Sequence, residues 1–440
     1  MTHPKRTIGL LGAISIGVGG MVGGGIFAVL GEAVSLAHGA TAVAFLFGGV
    51  VALLTSYAYA KLSVAYQSEG GTVIFIDKAF RHNLLSSSMN FMLWLSYLVT
   101  ISLYAVAFSS YAQTFFPDRH TTLLYHLFIT LAILLPTLIN WISASLVSES
   151  ETAIVTFKVA LLILVIVAGT PYVEPHKLSP QLWHGNLSIL IAGMIIFVAY
   201  EGFELIANAA AEIKQPEKNL PRAFYLSIVF VTVLYMLIAM ITVGSVPESQ
   251  LMEAKDYALA VAAKPSLGDI GFTVVAVAAL MATFSAINAT IYGNGRLGFI
   301  IAKDGNLPKF LEKEKRNQPF MAIAVTSLLS LLIANTIDLT QIAIIGSASF
   351  LLIFFVVNLS AFKLHREIQG NKWLFLIAAI ASFSALATLL VHTYQTNLSS
   401  EIVFIAFIGI SILFELLYGR WVRGHFFHRP YETSLASDTS

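Results

Sequence analysis

Cysteine is absent from this 440-residue sequence, and charge is scarce. Without cysteine there is no disulfide framework, no thiolate metal site and no thiol nucleophile. Lysine, arginine, aspartate and glutamate make up 11% of the residues, whereas a soluble domain carries about 25%. The formal net charge of +1 gives no indication of a nucleic-acid partner. Hydrophobic residues make up 57% of the chain. Because so few charged residues could not cover the surface of a soluble globule, the composition predicts a polytopic membrane protein.

Long apolar runs are abundant instead. Windows of about 20 apolar residues, the length of a membrane-spanning helix, recur along the whole chain. There are twelve, at 8–30, 40–65, 86–116, 121–143, 153–173, 188–211, 223–243, 270–301, 320–335, 339–362, 373–392 and 401–421. No small-residue cleavage site follows the first window, so it is interpreted as a span and not as a signal peptide. Short connections predict a single all-α membrane domain over 1–440, with a polar tail at 430–440.

The distribution of lysine and arginine predicts the orientation of the chain. With the N-terminus in the cytoplasm, 20 of the 25 positive residues fall in cytoplasmic connections and four on the far side. Because cytoplasmic loops carry the positive excess, we expect both termini inside the cytoplasmic (inner) membrane. The segment Gly70–Phe80 is predicted to be a short amphipathic helix on the inner side, and Pro247–Lys264 a helix on the outer face.

The first span contains a run of glycines that a lipid-facing helix would not carry. Six glycines fall within the nine residues 17–25. Each costs about 1 kcal/mol relative to alanine in a helix interior. Irregular backbone at membrane depth persists only where it lines a cavity or is buried in protein. Close packing between helices is the alternative explanation and accounts for Gly19 and Gly23, four residues apart, but not for the triplet 23–25. The run therefore predicts an unwound segment.

The sixth span places two carboxylates and a glycine in its middle, in the sequence VAYEGFE at 198–204. Ionisable groups inside a membrane are expensive and are usually functional. The alternative is that Glu201 and Glu204 lie near water at a helix end, but apolar residues flank them on both sides. We therefore expect a second interrupted helix here.

The two interrupted spans occupy corresponding positions, five spans apart. Because five is odd, a second set of five spans is inserted upside down relative to the first. This predicts inverted repeats at about 8–173 and 188–362, with two additional helices at about 373–421. Broken helices at matching positions of inverted repeats indicate a substrate site at the midplane. Free amides at a half-helix N-terminus suit an anion and unwound carbonyls suit a cation, so a zwitterion fits both.

Three motifs resemble the amino acid–polyamine–organocation superfamily: GGMVGGGIF in span 1, GFELIANAAAEIKQPEKNLPRA in and after span 6, and NATIYGNGRLGFIIAKDGNLP in span 8. The resemblance extends over essentially the whole chain and is greatest to the prokaryotic proton-coupled amino acid permeases. It implies a LeuT-like fold of five plus five inverted helices, twelve transmembrane helices in all, with helices 1 and 6 broken. The superfamily includes uniporters, symporters and exchangers, so the mode of transport stays open.

The resemblance also implies a substrate site. The amides of Gly23, Gly24 and Gly25 would hold the substrate carboxylate, and the carbonyls of Met21, Val198 and Glu201 its ammonium group. The remaining pocket would be lined by side chains around Tyr97, Ile101, Tyr104, Phe203 and Asn288. An apolar residue is more usual in the family at position 201, and a carboxylate there would favour cationic amino acids if it faces the pocket.

Lys158 is a positive charge within the fifth span. One explanation is that its long side chain reaches the cytoplasmic interface. The resemblance implies another, in which a span-5 lysine occupies the place where sodium-coupled relatives bind a cation. Its ammonium would then contact the Gly19 carbonyl and the Ser285 hydroxyl, with Thr283 as a further candidate. This implies proton coupling, with no sodium requirement.

The expected function is a secondary active transporter that imports amino acids, with the proton as the coupled ion and the lipid bilayer as its surroundings. An amino acid or amine exchanger and a non-transporting membrane nutrient sensor are the alternatives. No nucleotide loop, zinc motif or nucleophile–base pair occurs, so we expect neither an enzyme nor a cofactor or metal. His126, His184 and His392 are isolated and lack ligand spacing. The carried amino acid and the oligomeric state are not predicted.

Overall fold

The computed structural model describes residues 6–68, 70–81, 83–116, 121–142, 145–183, 185–315 and 318–422. The predicted tail at 430–440 and His184 lie outside these ranges. Within them the regular structure is helical, and the only strand-like pairings are isolated bridges between Ile8 and Ile213 and between Lys315 and Gln318.

Seventeen α-helices follow one another along the described chain. They are α1 (Leu10–Met21), α2 (Gly25–Ala37), α3 (Thr41–Ala65), α4 (Gly71–Phe80), α5 (Leu84–Gln113), α6 (Thr122–Ile142), α7 (Ser145–Gly169), α8 (Asn186–Ile195), α9 (Leu205–Asn208), α10 (Pro216–Ser245), α11 (Glu248–Glu253), α12 (Ala258–Ala262), α13 (Lys264–Lys303), α14 (Phe320–Thr336), α15 (Leu339–Lys363), α16 (Lys372–Thr396) and α17 (Leu398–Val422).

The predicted spans correspond to these helices. In the described chain ten helical segments are long and apolar enough to cross a membrane, and α1 and α14 are shorter apolar helices. One expectation about a connection is wrong in detail: Pro247–Lys264 forms two short helices, α11 and α12, instead of one. The fifth apolar window lies within a longer helix, α7, which begins at Ser145. The expected short helix after Gly70 is present as α4.

Both predicted breaks are present. The first span divides at Val22–Gly24, between α1 and α2. The sixth continues from α8 into a nine-residue 3₁₀ segment, Ile196–Glu204, before α9. Runs of 3₁₀ helix longer than about four residues are uncommon because their hydrogen-bond geometry is poor. A 3₁₀ segment of this length inside a membrane span therefore indicates that contacts with neighbouring helices stabilise its backbone.

The glycines of the first span also allow close packing, so both explanations given for them apply. A Cβ at Gly20 would lie 2.6 Å from the Gly202 carbonyl oxygen, and one at Gly19 would lie 2.8 Å from a methyl group of Val155. The helix α1 remains regular through Gly17, Gly19 and Gly20, so the unwound part is shorter than the glycine run. The two interrupted spans therefore cross backbone to backbone.

The broken spans lie near the centre of the bundle. The most hydrophobic 18-residue stretch of α5 is 94% buried and that of the sixth span 89%, compared with 39% for α16 and 22% for α17. The last two helices therefore turn most of their surface toward lipid, while α5 and the sixth span contribute the interior walls.

Candidate functional site

A cavity of 210 Å³ lies between α1, α5, α7, the sixth span and α13. Its polar and charged lining side chains are Thr72, Tyr97, Tyr104, Lys158, Glu201, Asn208, Glu212, Ser285, Thr290, Tyr292, Asn294 and Arg296. The cavity extends from Glu201 at the break of the sixth span toward Glu212, whose backbone carbonyl accepts a hydrogen bond from the Ile8 amide at 3.1 Å. It therefore reaches toward the face on which α1 begins.

Lys158 lies in the wall of this cavity. The residue is 2% exposed, and its Nζ donates a hydrogen bond to the Gly19 carbonyl at 3.2 Å. Ser285 lines the same cavity. Thr283 is fully buried and donates instead to the Ala279 carbonyl of its own helix at 2.7 Å. The ammonium group is thus placed inside the bundle against the last turn of α1.

The two carboxylates of the sixth span have different surroundings. Glu204 is 1% exposed; its Oε1 accepts from the Tyr97 hydroxyl, and its Oε2 accepts from the hydroxyls of Tyr59 and Thr72 at 2.8 Å each. Glu201 is 3% exposed and lines the cavity, and its Oε2 has no hydrogen-bond partner among the described residues. Of the two, Glu201 is the one that faces the cavity.

The glycine triplet is covered in this structure and does not line the cavity. A Cβ at Gly23 would lie 3.0 Å from that of Ala286, and one at Gly25 would lie 2.8 Å from the Cα of Ala199. At Gly24 the ring of Tyr104 lies directly over the backbone. The helix α2 begins here with Gly24 at its N-cap position and has no side-chain cap. Tyr104 thus contacts the Gly24 backbone and lines the cavity as well.

Two hydroxyl groups hold the breaks together, and sequence reasoning missed both. Tyr235 of α10 is fully buried and donates to the Met21 carbonyl at 2.7 Å, with the Ala199 carbonyl 3.4 Å away. Ser347 of α15 accepts from the Val198 amide at 2.9 Å and donates to the Ile195 carbonyl at 2.5 Å. Irregular backbone leaves groups without a helical partner, and these hydroxyls supply one.

The other side chains expected around the pocket divide into two groups. Tyr97 and Tyr104 line the cavity. Ile101 is fully buried outside the lining, and Phe203 packs edge-on against Tyr59 with ring centroids 5.2 Å apart. The Oδ1 of Asn288 accepts a hydrogen bond from Asn140 of α6 at 2.9 Å, so this side chain binds the neighbouring helix and does not line the cavity.

The opposite end of the bundle is closed by polar contacts. The carboxylate of Glu32 in α2 forms an ion pair with Lys255, which lies between α11 and α12, and accepts a hydrogen bond from Thr340 of α15 at 2.9 Å. Lys255 also donates to Thr340 at 3.1 Å. Burial raises the pKa of the adjacent Asp256, while the positive charge of Lys255 acts in the opposite direction. These contacts tie the second half of the first span to the loop helices.

The described histidine and carboxylate side chains are dispersed. Across the ranges that the structure describes, no three histidine, aspartate or glutamate side chains come together as a ligand set. His126 instead has its Nδ1 2.7 Å from the Oδ1 of Asn335, which joins α6 to α14.

The sequence matches a known protein family. A family model described as "Amino acid permease" matches residues 8–425. An uncharacterized protein of Methanocaldococcus jannaschii is 33% identical over 438 residues, which cover 99% of this chain and 100% of that protein. The inner membrane transport protein YbaT of Escherichia coli is 31% identical over 420 residues, covering 94% of this chain and 97% of YbaT.

The fold is shared with solved transporters. The manganese transporter of Eremococcus coleocola, crystallised with an aromatic bis-isothiourea compound, superposes with a TM-score of 0.61 at 12% identity, covering 94% of each chain. At that identity the likeness shows the fold alone. Together with the two helix breaks, it confirms the expected all-α LeuT-like membrane fold.

Proposed function

Because the chain belongs to the amino acid permease family, we propose that it is a secondary active transporter that imports amino acids across the cytoplasmic membrane in symport with protons. The observation that carries the proposal is the cavity at the crossing of two broken helices, with a buried lysine on one wall and a buried carboxylate on another. The orientation predicted from loop charges assigns the face on which α1 begins to the cytoplasm. The cavity then opens inward, toward the side where the substrate leaves.

The substrate site of this proposal lies between the two breaks. The amides of Gly23, Gly24 and Gly25 bind the substrate carboxylate at the N-terminus of α2, where the helix dipole favours an anion. The carbonyls of Met21, Val198 and Glu201 accept from the ammonium group. Tyr104 lies over Gly24 and also lines the cavity, so its ring separates the amides from the cavity and moves when the substrate carboxylate binds.

Proton coupling is assigned to Lys158. In its charged form the ammonium donates to the Gly19 carbonyl and holds α1 against α7. When Lys158 loses its proton toward the cytoplasm, the charge that strengthens this bond disappears and α1 is free to move away from the cavity. Ser285, on the α13 wall, is the second expected partner of the charged form. The proton and the substrate then bias one conformational equilibrium, which links their binding free energies.

The direct test is uptake of a panel of labelled amino acids into proteoliposomes that contain the purified protein. We expect accumulation of at least one amino acid when the outside is made acidic, and none when a sodium gradient is imposed at constant pH. Uptake that requires an amino acid on the opposite side, and that ignores the pH gradient, would identify an exchanger. Binding without any transmembrane flux would identify a sensor.

A further inference from the structure

Glu201 has a free carboxylate oxygen inside the membrane. The residue is 3% exposed, and its Oε2 accepts no hydrogen bond from the part of the chain that the structure describes. It lies on the cavity wall, at the break of the sixth span. A buried acceptor without a donor costs about 1–3 kcal/mol, and more when it carries charge. A binding partner from outside the protein is therefore expected at this oxygen.

Glu204 lies three residues further along the same segment, and both of its carboxylate oxygens accept hydrogen bonds. Three hydroxyl groups, from Tyr97, Tyr59 and Thr72, donate to its two oxygens. It is buried away from the cavity lining. Glu204 is thus a structural carboxylate that joins three helices, whereas the second oxygen of Glu201 has no donor among the described residues.

Glu204 lies on the same segment as Glu201, and Thr100 and Tyr104 of α5 are its neighbours across the bundle. Tyr97 of α5 lines the cavity nearby, as do Lys158 of α7 and, further toward the mouth, Glu212 and Arg296. Lys158 is engaged with the Gly19 carbonyl. Glu204, three residues along the same segment, is a second buried carboxylate, and its charge would make an isolated negative charge at Glu201 more costly.

A carboxyl group in such a place is stable when it carries a proton or when a cation contacts it. Amino acids bring a cation, their ammonium group. Tyr104 connects this position to the amides proposed for the substrate carboxylate, because its ring covers Gly24 and its side chain lines the same cavity as Glu201. The carboxylate of a zwitterion would then contact the backbone at Gly24, and its ammonium group would contact Glu201.

We propose that the Glu201 side chain binds the ammonium group of the substrate and exchanges a proton for it. Without substrate, the carboxyl group carries the proton. When a zwitterionic amino acid enters, the O–H bond of Glu201 breaks, the proton passes to water in the cavity, and the carboxylate pairs with the ammonium group. The substrate keeps its own charge, and charge and atoms balance. This inference rests on the proposed function, because it requires an amino acid substrate.

The consequence is a proton linkage separate from that of Lys158. In the symport cycle Glu201 releases its proton to the outer side and regains it from that side before the next substrate binds, so that Lys158 alone carries a proton inward. Substrate binding should release a proton from Glu201. The affinity of the protein for its substrate should therefore fall when the pH falls below the value at which Glu201 titrates in the substrate-free protein. By linkage the affinity changes up to about tenfold per pH unit for one exchanged proton. Replacement by glutamine removes this dependence and leaves a neutral amide of similar size.

The experiment is titration calorimetry of purified wild-type protein and Glu201→Gln with L-alanine, L-leucine and L-lysine, in two buffers that differ in ionisation enthalpy. The dependence of the heat on the buffer gives the number of protons released. We expect the wild type to release about one more proton per bound amino acid than Glu201→Gln. The matched control is Glu217→Gln, which changes an exposed carboxylate in the first turn of α10 that does not line the cavity, and which should release as many protons as the wild type.

An infrared difference spectrum tests the resident proton without any substrate. The carbonyl band of a protonated carboxyl group should be present in the wild type, reduced in Glu201→Gln and lost on adding the bound amino acid. Equal proton release in both proteins, or no band assigned to Glu201, would overturn the proposal even if transport is intact. Removal of the band by sodium chloride but not by choline chloride would also overturn it, in favour of a metal cation. If none of a full amino acid panel binds while the band is present, the proposed function fails and the ammonium group is not the cation.

Discussion

At the residue scale, Gly24 and Gly25 leave no room for a side chain. A side chain at Gly24 would meet the Tyr104 ring, and one at Gly25 would meet the backbone of Ala199. We expect Gly24→Val and Gly25→Val to abolish measurable binding while the protein still inserts. Hydrogen bonds to a charged group contribute about 1.5–3 kcal/mol, which corresponds to about 10- to 150-fold in affinity. The measurement is equilibrium binding of the transported amino acid to purified variants.

The control for this experiment is Gly409→Val. Gly409 is exposed on α17, and a Cβ there would meet nothing within 4 Å. It should bind as the wild type does, which separates loss of the site from a general effect of valine. Wild-type affinity in either Gly24→Val or Gly25→Val would remove the first span from the substrate site.

The residues that the sequence could and could not reveal differ in a physical way. Glu201, Glu204 and Lys158 are conspicuous because charge is expensive in a membrane. Tyr235 and Ser347 are not, because a tyrosine in VLYML or a serine in GSASF is ordinary in a membrane helix. Their importance comes from carbonyls and amides that belong to other spans. Only the three-dimensional structure brings those partners together.

At the scale of elements, Tyr235 links the two broken spans. Its hydroxyl contacts the Met21 carbonyl of the first break and lies near the Ala199 carbonyl of the second. We expect Tyr235→Phe to lower the melting temperature and to weaken substrate binding, since leaving a buried acceptor unpaired costs about 1–3 kcal/mol. Thermal unfolding and binding are measured against Tyr394→Phe, whose side chain is 67% exposed. Unchanged stability and affinity in Tyr235→Phe would show that the two breaks are held by other contacts.

A second element-scale prediction concerns the closed end of the bundle. Glu32 is 7% exposed, and Lys255→Ala would leave its carboxylate with the Thr340 hydroxyl as its remaining hydrogen-bond donor among the described residues. We expect the loop helices α11 and α12 to separate from α2 more often, which shifts the protein toward opening on this side. Lys264→Ala is the matched control, because its pairing with Asp269 is long, at 3.9 Å, and Asp269 is exposed. Exposed pairs contribute about 0–1 kcal/mol.

The absence of cysteine makes this shift measurable, because one introduced thiol is the only reactive one. Ala258→Cys reports the closed end, where Ala258 is 2% exposed, and Thr290→Cys reports the cavity. In the Lys255→Ala background the labelling rate should rise at position 258 and fall at position 290. The same rates as in Lys264→Ala would mean that this ion pair does not control closure.

The elements themselves were predictable to different degrees. Apolar windows located the membrane helices because a span needs a minimum length of apolar residues. Interior details were less accessible: Pro247–Lys264 reads as one helix, but a turn at Ala254 brings Lys255 and Asp256 against α2. That turn depends on contacts with the first span, and the local sequence does not contain them.

At the scale of the whole molecule, coupling requires that one proton site and one substrate site bias the same pair of states. The cavity reaches the face where α1 begins while Lys158 still holds α1 at Gly19, and the other end is closed by Glu32 and Lys255. The bond from Lys158 to the Gly19 carbonyl is thus one that must break when α1 moves away from α7. We therefore expect Lys158→Ala to keep the fold and bind substrate, but to lose accumulation driven by a pH gradient.

The most direct measurement is uptake into proteoliposomes that face an acidic exterior, with a pH gradient as the only driving force. The wild type and a surface control, Lys218→Ala on α10, should concentrate the substrate, and Lys158→Ala should only equilibrate it. A sodium gradient should stimulate none of them. A Lys158→Ala variant that still concentrates substrate, or a wild type that needs sodium, would contradict the assignment of coupling to Lys158.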